Sequence, residues 1–154
     1  MTKSRPLSMT TVHRQHRTQY GKTKRVHLSN GYYVDVQEKF KPTDGQKLVV
    51  DYQQVLQQMK KEGLDVKTGR DMLFVYYMLL LKHFTSLGDA IPEKLDQMIL
   101  LCEKMLDLGI MEELIGAFPA EELEKLTLLL QRAAEGSQLL AEHLRKPAQG
   151  GNHQ

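Results

Sequence analysis

The sequence predicts a mainly α protein: an N-terminal β-hairpin packed on a small bundle of about four to five helices, preceded by a disordered basic arm. Three observations predict it. From Thr43 onward apolar residues recur at helical spacing. A single Asn30-Gly31 dipeptide sits between β-rich flanks. Aromatics are sparse at 6% with no Trp while Met counts 8, a balance suited to cores and contact surfaces of adaptable aliphatic side chains. With 154 residues, 41% hydrophobic and 26% charged, the chain fits one domain with loose ends.

The arm comes first. Of the 21 Lys and Arg, seven lie in Met1–Arg25, which holds no acid; the other 14 face all 19 acidic residues. The net charge of +2 therefore hides a basic arm on an acidic body. Residues 1–25 show no hydrophobic period and are expected to be disordered. Their candidate polyanion-binding residues are Arg14, Arg17, Lys22, Lys24 and Arg25, since basic side chains on a mobile arm suit phosphates or an acidic surface. The segment lacks the apolar stretch of a signal peptide.

In KRVHLSNGYYVDVQEKF a two-residue loop would set Val26 opposite Asp35, placing a carboxylate on the apolar face. A three-residue loop Ser29-Asn30-Gly31 instead pairs Leu28 with Tyr32, Val26 with Val34 and Lys24 with Val36. That register keeps the apolar set together, with Gly31 as the left-handed residue.

Pro42 and Thr43, with Gln46 three residues on, read as a capping-box start for a helix ending at Gly63. Its stripe is Leu48, Tyr52, Val55 and Met59. Thr68 with Asp71 offers a second cap, before an apolar helix that Gly88 closes. Pro92 opens a third helix ending at Gly109, and a short helical turn spans Met111–Ile115. The last helix starts after Pro119, with Glu121 and Glu122 near its positive end. The expected core comprises Leu73, Phe74, Tyr77, Leu80, Leu81, Phe84, Leu95, Ile99, Cys102 and Leu106. The hairpin and helices are expected to form one domain over 26–146, and PAQGGNHQ over 147–154 reads as a disordered tail.

In the last helix Leu123, Leu126, Leu130, Ala133, Ser137, Leu140 and Leu144 step by three and four, a narrow seam suited to a partner helix. Its candidate partner-binding residues are Leu126, Leu130, Leu140 and Leu144, together with Met111, Leu114 and Ile115 of the preceding turn.

Catalytic chemistry finds no support. Gly45-Gln46-Lys47 and Gly69-Arg70 lack the other elements of a phosphate loop. His13 and His16 have a His-x-x-His spacing but no rigid frame, so neither a metal nor a cofactor is expected. His83 reads as a half-buried residue near a helix end, and the lone Cys102 as an inert buried thiol rather than its nucleophilic partner. Glu112, Glu113, Glu121, Glu122 and Glu124 read as a solvated acidic surface. The longest uncharged apolar run, Met72–Leu81, is about half a membrane span. The expectation is a non-enzymatic helical interaction protein.

The segment from Phe74 to Gln131 resembles the tail assembly chaperones of long-tailed bacteriophages and their prophage copies. The features that carry the resemblance are Lys82-His83-Phe84-Thr85-Ser86-Leu87, the Ile91-Pro92 step, Asp107-Leu108-Gly109-Ile110 before a short acidic helix, and Phe40-Lys41-Pro42-Thr43 after a hairpin. Together they cover roughly Val26 to Arg132. The resemblance implies a cytoplasmic protein of the bacterial host that binds the tape measure protein and keeps it soluble until tail tube subunits displace it. The tail tube protein and a second copy are further partners to consider. The basic arm departs from the family pattern, whose members usually begin near the hairpin. It motivates the competing expectation, a helical nucleic-acid-associated adaptor acting through that arm. A membrane-surface role is weaker, because no apolar face accompanies the charge.

Overall fold

The Asn30-Gly31 signal produces a hairpin in the predicted register. Strands β1 (Thr23–His27) and β2 (Tyr33–Gln37) run antiparallel with Val26 opposite Val34 and Lys24 opposite Val36. The Leu28 amide donates to the Tyr32 carbonyl at 2.8 Å, and Gly31 takes φ 89°, where a side chain would strain the turn. Leu28, Val34 and Val36 on the shared face are buried.

The computed structural model describes residues 4–62 and 69–151, with side chains described as far as Gly136. The chain divides into two compact units, Met1–Pro119 and Ala120–Gln154. The first holds α1 (Met9–Tyr20), the hairpin, α2 (Pro42–Lys61), α3 (Gly69–Phe84), a 3₁₀ turn (Gly88–Ala90), α4 (Leu95–Asp107) and α5 (Ile110–Ala117). The second is α6 (Ala120–Gly151).

The segment expected to be structureless forms α1. Ser8 caps it, its hydroxyl accepting from the Thr11 amide at 3.2 Å. A good cap and a run without Gly or Pro suffice for a local helix that buries nothing; none of its residues is buried. Ordered structure also resumes earlier than expected, because Lys24 and Arg25 belong to β1.

Helix α2 starts one residue before the expected cap. Pro42 occupies the first turn and Lys41 is the N-cap with no side-chain hydrogen bond, so Thr43 is not the cap. Helix α3 is the centre of the core: Phe74, Val75, Met78, Leu79, Leu80, Leu81 and Phe84 are all buried. Such burial all round suits a helix enclosed by others. It ends at Phe84, earlier than Gly88, where the Thr85 hydroxyl turns back to the Leu81 carbonyl. The Thr68 cap lies outside the described residues. Helix α4 begins at Leu95 rather than in the turn after Pro92, and Gly109, at φ 77°, ends it and leads into α5.

Four expected core residues shift outward. Leu73 is 44% exposed, while Tyr77, Ile99 and Leu106 are half-buried. Met78 takes the inward place beside Tyr77, and of the adjacent pairs Met98 or Ile99 and Met105 or Leu106, which spacing alone leaves open, the structure turns the methionines inward. An aromatic cluster locks the hairpin exit to this core: Phe40 stacks on Phe84 at 3.9 Å and meets Phe118 edge-on at 5.6 Å. Beside it, Val36 bridges to Thr85, and the Ser86 amide donates to the Asp35 carbonyl at 2.8 Å. The hairpin thus sits at the C-terminal end of α3. Helix α6 continues through Pro147 to Gly151, where a disordered tail is expected from composition.

Candidate functional site

The residues expected to bind a partner do not form one exposed surface. Met111 is 1% exposed and Leu114 is fully enclosed, so α5 turns these side chains inward. Leu126 is likewise buried at 3%. Spacing of three and four marks the inner face of an amphipathic helix as readily as a docking seam, and in α5 the inner face took Met111 and Leu114. Ile115 and Leu130 remain half-buried. The side chains of Leu140 and Leu144 lie outside the described residues. The leucines that do stand out were missed: Leu100 at 53%, Leu108 at 70% and Leu128 at 50%. The signal for Leu100 and Leu128 is that each falls off its helix's principal apolar stripe, while Leu108 lies in the turn after α4.

The basic residues also separate. Arg14, Arg17, Lys22 and Lys24 are exposed. Arg25 is occupied: its guanidinium donates to both Asp35 carboxylate oxygens, at 3.0 and 3.3 Å, and lies 3.9 Å from the Tyr33 ring centroid. The Asp35 carboxyl is held below its ordinary value by that hydrogen bond. Cross-strand pairing therefore removes Arg25 from the polyanion-binding set. On α1, His13 and His16 share a face with Met9, Val12 and Tyr20, and the His16 ring packs 5.3 Å from Tyr20. Arg17 flanks that face, while Arg14 projects from nearly the opposite side.

Two expected surface carboxylates are structural. Glu113 accepts from the Ser29 amide at 2.9 Å and hydroxyl at 3.1 Å, and Glu122 is only 3% exposed. His83 has a partner that the sequence did not disclose: its Nε2 lies 2.7 Å from Asp51 Oδ2. Lys82 Nζ reaches the same oxygen at 3.5 Å. This network fastens α2 to the end of α3. Cys102 lies toward the other end, with Arg70 among the charges that act on it, and α3 separates Arg70 from His83 by about 20 Å at 1.5 Å per residue. Burial pushes the Cys102 thiol up to about 11. Cys102 and His83 are not a nucleophile and its base. Among the described residues no three His, Cys, Asp or Glu side chains gather as a metal ion requires, and no helix is long and apolar enough to cross a membrane.

A groove of about 840 Å³ lies where the C-terminal end of α2, the start of α3 and the first turns of α4 meet. Met59, Leu95, Ile99 and Leu100 supply its apolar surface. Its rim carries Glu62, Asp71, Asp96 and Glu103 against Lys94. Arg70 shares Glu103 at 3.5 Å and Asp71 at 3.9 Å, leaving the rim with a net negative charge. An apolar floor with acidic walls suits an amphipathic, basic segment.

A family model described as YomO matches residues 9–150. No curated protein and no solved structure matches the chain.

Proposed function

The chain belongs to the YomO family, a phage-type family, and from that membership we propose that it is a tail assembly chaperone, holding the tape measure protein soluble in the host cytoplasm. The observation that carries this reading is the phage-type family match across nearly the whole chain. It joins the resemblance of residues 26–132 to tail assembly chaperones. Leu108, in the turn after α4, and Leu128, on α6, are 70% and 50% exposed and support it further. A client with helical apolar stripes packs on leucines of this kind, because each contact removes apolar area from water.

The test is co-expression with a phage tape measure protein. Wild-type protein should co-purify with it and raise its soluble yield; Leu108→Asp or Leu128→Asp should lower that yield while the helical circular dichroism stays unchanged. Failure of the wild-type protein both to co-purify and to change solubility removes the proposal.

A second reading, a nucleic-acid-associated adaptor, is favoured by the exposure of Arg14, Arg17, Lys22 and Lys24. It requires retention on DNA that weakens with salt and disappears when the two arginines become glutamate.

A further inference from the structure

The acid-rimmed groove and the basic helix α1 are complementary, and they lie on one chain that cannot bring them together. Helix α1 buries none of its residues: Met9 and Val12 on one face are 64% and 37% exposed, and Leu7 just before the helix is 69% exposed. The groove presents the matching surface: Leu100, 53% exposed, on its floor, with Glu62 and Asp96 exposed on its rim.

Geometry prevents α1 from filling its own groove. Only Gly21 and Lys22 join α1 to β1, and the Lys22 carbonyl accepts from the Glu38 amide at 3.3 Å. The hairpin is bonded to Thr85 and Ser86, just past the C-terminal end of α3. The groove lies at the opposite end, beside Asp71. At 1.5 Å per residue α3 spans about 24 Å and α1 about 18 Å, so a helix anchored at the hairpin falls short.

We propose that the groove receives α1 of a second copy of this chain, its Met9 and Val12 face on Ile99 and Leu100 and Arg17, which flanks that face, against Glu62 and Asp96. Reciprocal exchange fills both grooves and closes a two-fold pair, rather than leaving an open chain. The assignment is independent of the client that the chain serves, because it is read from two surfaces of the chain itself.

The experiment is sedimentation velocity on the full chain over a concentration series at low salt, with circular dichroism to check folding. The wild type should associate with rising concentration, and added salt should weaken it. Arg14→Glu with Arg17→Glu, and separately Glu62→Lys with Asp96→Lys, should each weaken association about tenfold or more by placing like charges together. All four positions are exposed, so both proteins should keep wild-type helical content. An equimolar mixture of the two should recover association, since each acidic α1 then meets a basic groove and each basic α1 an acidic one. Leu100→Asp should weaken association without altering the rim.

A wild type that stays monomeric throughout overturns the proposal, as do charge variants that associate like the wild type. Two folded variants that weaken association but fail to complement each other also overturn it. Retention of a monomeric wild type on DNA assigns α1 to polyanions instead.

Discussion

Ser29 in the hairpin turn and Glu113 in α5 are joined by two hydrogen bonds across 84 residues of sequence, the backbone amide at 2.9 Å and the hydroxyl at 3.1 Å. One carboxylate thus holds the tip of the hairpin against the helical unit, while Phe40 and Phe84 hold its exit. A lone two-stranded hairpin is marginal in water, so these anchors bear on whether it forms at all.

Replacing Glu113 with Ala removes both acceptors and should destabilise the protein by about 1 kcal/mol, since hydrogen bonds to a carboxylate near the surface are worth that order. Ser29→Ala should cost less, because the backbone amide keeps its acceptor. A double-mutant cycle by urea denaturation checks the pair, and independent effects would show that the contact contributes nothing.

Leu80, fully enclosed at the centre of α3, should cost about 2–5 kcal/mol when truncated to Ala, through lost apolar burial and the cavity left behind. Leu73→Ala on the same helix, where the side chain is 44% exposed, should cost much less. Urea midpoints of the two variants compare them directly, and equal losses would contradict the orientation of α3.

The Cys102 thiol, raised from 9.0 to about 11 by burial, should resist iodoacetamide at neutral pH in the native protein and react rapidly in denaturant. The raised value means that the folded state holds the proton more tightly than the unfolded one. The corresponding stability is fully present below pH 9.0 and is lost as pH rises toward about 11. Cys102→Ala should remove that part of the alkaline decline in urea stability. A variant that declines over this window just as the wild type does would contradict the shift.

Much of the fold was legible because its signals are local. Asn30-Gly31 and the alternation Val26, Leu28, Tyr32, Val34 determined the hairpin register, since only one loop length keeps the valines on one face. Gly109 ended α4 as read, because its left-handed backbone suits glycine. The failures were of another kind. Capping chemistry misplaced the start of α2 because Pro42, fixed in φ, could begin the helix without a side-chain cap. The absence of apolar periodicity hid α1, because a helix that buries little needs only backbone hydrogen bonds and a cap.

By itself the sequence determined the fold class, the hairpin pairing, the succession of helices and the excess of positive charge near the start of the chain. Tertiary structure decided which members of each stripe were used. It enclosed Met111 and Leu114, left Leu100 and Leu108 outside, tied Arg25 to Asp35, and gathered four carboxylates around the groove. The physical reason is that periodicity defines an apolar face without naming what covers it. A charge, likewise, shows its sign in the sequence but not its partner, which is fixed only when distant segments pack.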